Sequence, residues 1–318
     1  MSLDSLSIKQ YKRDGLAKLA SEIWKQKILL LFILPAFVFV LVFQYRPMYG
    51  VIMAFQKYDI LKGLSGSEFV GLENFREFLQ TPDFYNALKN TLGLNFLTLV
   101  IAFPLPIIFS IVLNELRSDR FRKTVQSIAY LPHFISWVVI AGLFYKMLEQ
   151  DGGIINLILE RAGLERIGFF REARYFWGIY IISSIWKELG WNSILYLASI
   201  TGIDPQLYEA SEIDGANRIQ RIWNITIPGI TPTIIVLLIL TIGSFFSSGG
   251  AVGAILCLRN PMVSEASDVI DVYALISGIQ LGHYSYAAAI GLSQSFLSFI
   301  LLFSVNKIIK KTTGYALF

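Results

Sequence analysis

The sequence predicts an all-α protein that crosses a membrane several times. Of its 318 residues, 54% are hydrophobic and only 16% are charged, and the mean hydropathy is +0.57. An average soluble domain carries about 25% charged residues. Apolar runs recur along the chain, and several reach the roughly 20 residues that a spanning helix needs. Because lipid offers the backbone no hydrogen bonds, such runs predict helices.

Six runs meet this requirement. We expect spanning helices over residues 28–47, 91–114, 124–145 and 175–203, in the region after Pro228, and over about 284–306. The first run has basic flanks like a signal peptide. It contains Pro35, however, and bulky residues follow it where a cleavage site needs small ones, so we expect a retained helix. Six spans place both termini on the same side of the membrane.

The distribution of Lys and Arg predicts that this side is the cytoplasm. In that orientation the inner segments carry fifteen Lys and Arg in about 76 residues, and the outer loops carry eleven in about 112. We therefore expect both ends inside. The chain is expected to form one membrane domain over residues 1–318, with residues 1–27 as a cytoplasmic N-terminal segment.

Composition excludes several kinds of site. Cys257 is the only cysteine, so the chain forms neither an intrachain disulfide nor a cysteine-rich zinc site. His133 and His283 lie far apart and no HExxH is present, so we expect no metal site. The formal charge of +4 is modest and does not indicate a nucleic-acid surface.

Two regions are irregular. Residues 222–258 contain no charged side chain and are longer than one span requires. We expect Gly249-Gly250 to end span five and residues 251–258 to form a re-entrant or interfacial segment. In the first outer loop, residues 70–79 and 81–90 each predict a short helix that lies on the outer surface.

A polar stretch between spans four and five has the pattern of two short helices. Asp204 is a good N-cap and Pro205 suits the first helical position, so we expect a first helix that runs to Ile213. Asp214-Gly215 then breaks this helix, and Asp214 is available to cap a second one.

The second helix is expected to run to about Trp223, and Pro228 is expected to end the element before span five. A helix, a sharp turn and a helix suit docking into a groove of another protein. The alternative is an amphipathic loop that rests on lipid headgroups.

The same stretch resembles the EAA loop of binding-protein-dependent ABC importers, whose pattern is E-A-A, three residues, G, nine residues, I-x-L-P. Two positions depart from it conservatively, since Ser211 replaces Ala and Ile227 replaces Leu. The remaining positions match at the same spacing and are Glu209, Ala210, Gly215, Ile225 and Pro228. Nearly the whole chain is similar to the maltose-type sugar permeases, in particular to permeases for larger saccharides, including the alginate importer.

This resemblance implies the type I ABC importer permease architecture, with the chain as a single transmembrane permease domain in the bacterial cytoplasmic (inner) membrane. It also implies a coupling role for the loop, in which Glu209 contacts a basic residue of the ATP-binding subunit, Gly215 permits the turn and Pro228 sets the exit angle. The chain has no GxxxxGK[ST] phosphate loop, so ATP and Mg are expected on two separate ATP-binding subunits. The chain itself is then expected to be a pore-forming subunit and not an enzyme.

The other expected partners are a second homologous permease, usually a different chain in this family, and an extracytoplasmic solute-binding protein. The implied function is ATP-driven import of an oligo- or polysaccharide by alternating access. An acidic saccharide such as alginate is one candidate substrate.

Candidate substrate-pathway residues lie in span four, where a charge costs about 2.5–3.5 kcal/mol on insertion scales and so marks a functional site. Tyr180, Ser184, Lys187 and Trp191 share one helical face, and Glu188 and Asn192 line the adjoining stripe. Aromatic rings offer flat faces to sugars, and a cationic Lys187 suits an acidic saccharide, although Glu188 opposes this. Alternatively, either charge pairs with another span, or Lys187 snorkels to an interface.

Span six carries small residues at helical spacing, which usually indicate close helix packing. Gln294 and Ser295 are nevertheless candidates to face a cavity, as residues of this span do in the resembled family.

Other classes of function explain the sequence less well. An intramembrane enzyme needs paired carboxylates, a His-bound metal or an activated serine, and Glu188 is the only carboxylate within a predicted span. A secondary transporter or channel often shows internal repeats; none is visible in the sequence, and the polar hairpin would have no role. A permease for another class of solute remains an alternative.

Overall fold

The computed structural model describes residues 25–247, 251–314 and 316. Most of the expected N-terminal cytoplasmic segment (residues 1–24) lies outside these residues, and so do Gly249 and Gly250. Apart from its connecting turns and loops, the described chain is helical except for one two-stranded antiparallel ribbon, in which β1 Gln56–Lys57 pairs with β2 Glu68–Phe69.

The α-helices within the spans are apolar, and those between the spans are shorter and more polar. In chain order they are α1 Lys27–Val40, α2 Gly63–Gly66, α3 Glu73–Gln80, α4 Pro82–Leu97, α5 Pro104–Asn114, α6 Asp119–Tyr130, α7 Trp137–Leu148, α8 Ile154–Arg161, α9 Phe176–Thr201, α10 Pro205–Ile213, α11 Arg218–Arg221, α12 Ile227–Gly243, α13 Val252–Leu258, α14 Ser264–Ser267, α15 Ile270–Leu275 and α16 Tyr284–Thr313. Tighter 3₁₀ turns occur at Arg46–Phe55, Leu131–Phe134, Ala173–Tyr175 and Pro261–Val263. Wider π-helical turns occur at Leu41–Tyr45, Thr98–Ala102, Ile222–Thr226 and Ile276–Gln280.

The multi-span all-α class predicted from the sequence is confirmed. Among the described residues, four continuous helices are long and apolar enough to cross a membrane, and they are Lys27–Phe55, Pro82–Asn114, Arg218–Gly243 and Tyr284–Thr313. A bent pair, α6 and α7, makes a fifth span if both halves count as one. Helix α9 occupies the place of the remaining predicted span. Its 26 residues measure about 39 Å, which is long enough to cross, although its polar residues leave it less apolar than the others.

The third predicted span is broken. Its halves, Asp119–Phe134 and Trp137–Leu148, meet at an angle of 100°. Pro132 has no N–H and its ring crowds the preceding turn, so the α-helix tightens into a 3₁₀ turn and stops. Ser136 then caps α7, since its hydroxyl accepts a hydrogen bond from the third backbone N–H that follows. The single helix expected over residues 124–145 is therefore wrong.

Span five starts earlier and ends earlier than expected. The helix Arg218–Gly243 runs without interruption through Pro228, so this proline does not end the polar hairpin. A π-helical turn lies directly before it and leaves room for the ring, which explains why the helix continues. The helix stops at Gly243, whose missing side chain allows Leu302 of α16 to approach, and not at Gly249-Gly250.

Span two also starts earlier than expected. A helix begins at Pro82 and continues to Asn114, so residues 81–90 form the first turns of the span and not a separate surface helix. No helix-breaking residue separates Pro82 from the apolar run, which explains the continuity. The helix expected over residues 70–79 is present as α3.

Helix α9 lies at the centre of the bundle and packs against α5, α6 and α12. Gly190 permits the closest approach, because a Cβ at this position would lie 2.2 Å from the carbonyl oxygen of Ala129 in α6. At the other end of α9, the ring of Trp177 lies over Gly93 of α4, where a Cβ would be 2.2 Å from the ring edge. Two glycines therefore fix where α9 sits.

The short helix α13 is folded into the core. Ile255 and Leu258 are at most 1% exposed, and the carbonyl of Leu258 accepts a hydrogen bond of 2.9 Å from the Tyr145 hydroxyl. With seven residues, α13 is too short to span a membrane, and its assignment as a re-entrant or interfacial segment stays a prediction. The chain beyond it is fastened to α4, because Asn90 donates to the carbonyls of Glu265 and Asp268.

Candidate functional site

The polar hairpin begins with a well-capped helix. The Asp204 carboxylate accepts a hydrogen bond of 3.0 Å from the Gln206 N–H, and Pro205 occupies the first turn of α10, where its missing N–H leaves no bond unmade. This part of the hairpin agrees with the sequence prediction.

The turn of the hairpin depends on Gly215. Its φ is +76°, in the left-handed region that favours glycine. The next N–H, of Ala216, donates to the Ser211 carbonyl at 2.9 Å and closes the end of α10. The cap of the second helix is Asn217 and not Asp214 as expected, since Asn217 and Gln220 form a reciprocal capping box at 2.9 and 2.8 Å.

Side chains join the two arms of the hairpin. The hydroxyls of Tyr208 and Thr226 are 2.9 Å apart, and the Arg221 guanidinium pairs with the Glu212 carboxylate. Ser211, which departs from the EAA pattern, turns its hydroxyl back to the Tyr208 carbonyl at 2.7 Å. The hairpin is thus a small braced unit mounted on the end of the Arg218–Gly243 helix.

The outer surface of the braced unit is open. Apolar side chains that are more than half exposed occur on both arms, namely Leu207, Ile213, Ile219 and Trp223. Glu209 and Ala210 are exposed beside them, Ile225 is half-buried and Pro228 is exposed. An exposed carboxylate among exposed apolar groups suits a groove with a basic residue, and the roles of these residues remain predictions.

The predicted pathway residues of α9 divide into an open and a buried group. Trp191 and Asn192 are exposed and line a cavity of about 420 Å³. The π-helical turn at Thr98–Ala102 and residues of α12 form its other walls. Tyr180 is buried in the core and Ser184 is half-buried, so the four-residue stripe does not face one space.

Lys187 lies in the buried group, with 6% of its surface exposed. Its Nζ lies 3.4, 2.5 and 2.7 Å from the carbonyl oxygens of Pro132, His133 and Ile135, the residues at the break between α6 and α7. A buried ammonium is tolerated when each of its donors is matched. This geometry argues against Lys187 as a substrate-facing cation, although that assignment remains a prediction.

His133 is a residue that the sequence analysis did not place at the site. Its Nδ1 lies 2.8 Å from a carboxylate oxygen of Glu188, and its ring stacks on Trp191 with 4.1 Å between centroids and 1° between planes. Phe134 meets the same indole edge-on at 5.9 Å. The available signal was Pro132, which breaks an otherwise apolar span beside a histidine.

The two candidates in α16 lie apart from this cavity. Gln294 is buried and donates to the Phe246 carbonyl at 2.6 Å and to the Asp271 carboxylate at 3.0 Å. Ser295 is exposed and returns its hydroxyl to the carbonyl one turn earlier. In the part of the chain that the structure describes, no three His, Cys, Asp or Glu side chains lie close enough together to hold a metal ion.

Known proteins are similar to this chain in sequence and in fold. The family model described as "Binding-protein-dependent transport system inner membrane component" matches residues 104–314. A relative from Bacillus subtilis (strain 168), the polygalacturonan/rhamnogalacturonan transport system permease protein YteP, is 41% identical over 301 residues, which are 95% of this chain and 93% of the relative.

Two solved structures are also similar. One is of a bacterial ABC transporter involved in the import of the acidic polysaccharide alginate; it matches with a TM-score of 0.85 and 38% identity over 93% of this chain and 99% of the other. The second is of a bacterial alginate ABC transporter in complex with an alginate pentasaccharide-bound periplasmic protein; it matches with a TM-score of 0.86 and 37% identity over 94% and 100%.

These matches cover nearly the whole chain, and the family model includes the polar hairpin. The resemblance predicted from the EAA pattern and the type I importer permease fold are both confirmed. The chain belongs to the family of binding-protein-dependent transport system inner membrane components and is a multi-pass permease of the ABC importer type.

Proposed function

We propose that this chain is the pore-forming subunit of an ATP-driven importer that carries a saccharide across the cytoplasmic membrane. The observation that carries this proposal is the braced hairpin, residues 204–228, which is open to a partner on one side and continuous with a spanning helix on the other. ATP and Mg bind to two separate ATP-binding subunits, and the hairpin docks into one of them from the cytoplasm, where both termini also lie.

The hairpin is suited to transmit movement. Because Arg218–Gly243 is one helix, a displacement of the docked hairpin moves the wall of the cavity that contains Leu237 and Thr241. Two walls of this cavity, at Trp191 and at the π-helical turn Thr98–Ala102, belong to other helices. Nucleotide-driven closure of the ATP-binding subunits thereby changes the cavity, as alternating access requires.

A second permease subunit completes the pore. In α1 no residue is buried against the rest of the described chain, and large apolar side chains such as Phe32 are 79% exposed. A helix that contacts so little of its own chain is available to a homologous partner. A solute-binding protein on the opposite side of the membrane delivers the saccharide, as the periplasmic protein in the similar alginate complex suggests.

The proposed substrate is an acidic oligosaccharide or polysaccharide fragment of the uronate type. The names of the similar proteins support this class, since they concern polygalacturonan, rhamnogalacturonan and alginate. The cavity beside Trp191 offers this ligand an aromatic face, the Asn192 amide and the hydroxyls of Thr98 and Thr241. It offers no cation of this chain among its described lining residues, so charge recognition falls to the partner permease or the solute-binding protein.

The coupling role is tested by co-expression with the candidate partner subunits and purification through a tag on this chain. Gly215→Pro is compared with Gly163→Pro, a matched control, because both glycines have a positive φ near +77° and no atoms around the Cβ position. We expect the wild type and Gly163→Pro to recover an ATP-binding subunit, and Gly215→Pro to insert normally and lose it. If the wild type recovers none, or Gly215→Pro retains it, the coupling role is wrong.

The substrate class is tested with the assembled complex in proteoliposomes and its solute-binding protein outside. We expect ATP-dependent uptake of oligogalacturonates or alginate oligosaccharides, and much slower uptake of neutral arabino-oligosaccharides. Preference for the neutral sugars contradicts the acidic class, and uptake of only non-saccharide solutes contradicts the saccharide class. Uptake that does not require ATP favours a secondary transporter or channel.

A further inference from the structure

The break between α6 and α7 leaves backbone carbonyls inside the membrane domain. The 3₁₀ turn that follows α6 ends at Phe134, and the chain is extended at the next two residues. The carbonyl of Pro132 accepts a hydrogen bond of 3.1 Å from the Ile135 N–H, whereas those of His133 and Ile135 have no helical partners. In lipid or in a dry core, an unpaired carbonyl is costly. Such a break persists only if another element supplies hydrogen bonds.

Lys187 of α9 supplies them. Its ammonium carries three N–H groups, and carbonyl oxygens of Pro132, His133 and Ile135 lie within 3.4 Å of it. The carbonyl end of a helix also carries a partial negative charge that a cation stabilises. The ring of Trp137, at the start of α7, lies 5.7 Å from the same ammonium. One side chain thus contacts both halves of the bent pair.

The residue after Lys187 holds the other side of the same turn. Glu188 binds the imidazole of His133 at 2.8 Å, while Lys187 binds the carbonyl of His133 at 2.5 Å. The imidazole is thereby held flat against Trp191, one turn further along α9. Backbone and side chain of His133 are therefore fixed by two consecutive residues of one helix, and its ring covers an aromatic group of the proposed pathway.

We propose that Lys187 is a positioning residue that acts through His133. By closing the carbonyls of the break, it holds the imidazole on Trp191 and so sets how the indole faces the cavity. Lys187 does not touch the saccharide in this arrangement. The proposal rests on the proposed function only for its transport readout. A purely structural role would require Lys187 for folding but would not connect it to His133 or to Trp191.

The transport test uses the assembled importer in proteoliposomes with oligogalacturonate as the probe. Lys187→Met removes all three donors, Lys187→Arg keeps a cation with several donors, and His133→Ala removes the imidazole. We expect Lys187→Met to raise KM about tenfold with little change in kcat, and Lys187→Arg to restore most of it. The double variant Lys187→Met/His133→Ala should be no worse than the poorer single variant, because both changes remove the same contact. Additive losses overturn the proposal.

The second readout is the emission of Trp191, obtained as the difference between each variant and the same variant with Trp191→Phe. This emission is measured without substrate, so it tests the positioning role of Lys187 even if the complex imports no saccharide. We expect Lys187→Met to shift this emission to the value found with His133→Ala, and Lys187→Arg to leave it near the wild-type value. An unchanged emission in Lys187→Met overturns the proposal.

Lys187→Gln replaces Lys187→Met if the latter is absent from the membrane, since glutamine keeps two N–H donors without the charge. Altered KM and altered Trp191 emission in the glutamine variant then support the proposal. Wild-type values overturn it, because this variant lacks the charge and the third donor by which Lys187 is proposed to hold the break. If both neutral variants fail to insert, Lys187 acts in folding, and the positioning role is wrong.

Discussion

The hairpin at residues 204–228 and the break at residues 131–136 are both turns between two helices, but bonds of different range close them. In the hairpin, the caps come from two or three residues away, as with Asn217 and Gln220. In the break, Ser136 caps α7 locally, but carbonyls before it are bound by Lys187, which lies 52 to 55 residues further along the chain. Residues within the hairpin therefore supply the bonds that close it, whereas the break also needs bonds from α9.

The largest expected effect comes from separating α9 from the break. Gly190→Ala places a methyl group 2.2 Å from the Ala129 carbonyl oxygen, so either helix must shift, at a cost of about 1–3 kcal/mol. Gly178→Ala in the same helix is the matched control, because no atom lies within 4 Å of its Cβ position. We expect a clear fall in the thermal unfolding temperature of the detergent-purified protein for Gly190→Ala only. Equal behaviour of the two variants would show that α9 tolerates displacement from α6.

This contrast explains how much of the fold was predictable. Helix α9 and the start of α16 were expected almost at their observed ends, because an apolar run and its flanking polar residues fix a span locally. The extension of span two back to Pro82 was missed for a related reason. Its first turns are polar, so they lie outside the apolar run that indicates a span, although nothing in them breaks a helix.

The bent pair was missed because its cause is not local. Pro132 marks a weak point, but many transmembrane helices continue through a proline, as the Arg218–Gly243 helix does through Pro228 and Pro232. What decides between a kink and a break is the partner of the freed carbonyls. That partner is Lys187, which the sequence places on the pathway face of its span, because periodicity gives the face of a residue and not its neighbours.

The candidate site likewise has some features that nearby residues determine and others that the packing of distant helices determines. The positions and caps of α10 and the turn at Gly215 follow from residue types within a few positions of one another. The cavity beside Trp191 joins residues from three helices, and the separation of Gln294 from it depends on how those helices pack. The sequence therefore predicts the helix and the turn of the hairpin, whereas the fold shows which pathway candidates share a space.

A smaller effect is expected at the turn of the hairpin. Gly215→Ala forces a side chain into the left-handed region at φ +76° and costs about 1–2 kcal/mol, although the space around it is free. Gly215→Asn should cost less, because asparagine tolerates this conformation. Hydrogen exchange of the peptides that cover α10 and α11 measures the difference, with faster exchange in the alanine variant. A loss of stability throughout the spans would contradict the view that the hairpin is a separate local unit.

The smallest effect is expected from the bond between the two arms. Tyr208→Phe removes the hydroxyl that lies 2.9 Å from Thr226, and the expected loss is about 0.5–1.5 kcal/mol of local stability, since one neutral hydrogen bond is exchanged. A double-mutant cycle with Thr226→Val isolates the pair, because neither change alters a cap or the turn. Two quantities are measured on the same variants: hydrogen exchange in α10, and the amount of ATP-binding subunit that co-purifies with this chain. If the hairpin acts as one braced body, the cycle shows coupling, exchange in α10 rises, and recovery of the ATP-binding subunit falls in proportion. If hydrogen exchange in α10 rises while recovery of the ATP-binding subunit is unchanged, α10 docks without the second arm. The two arms of the hairpin then act as independent pieces.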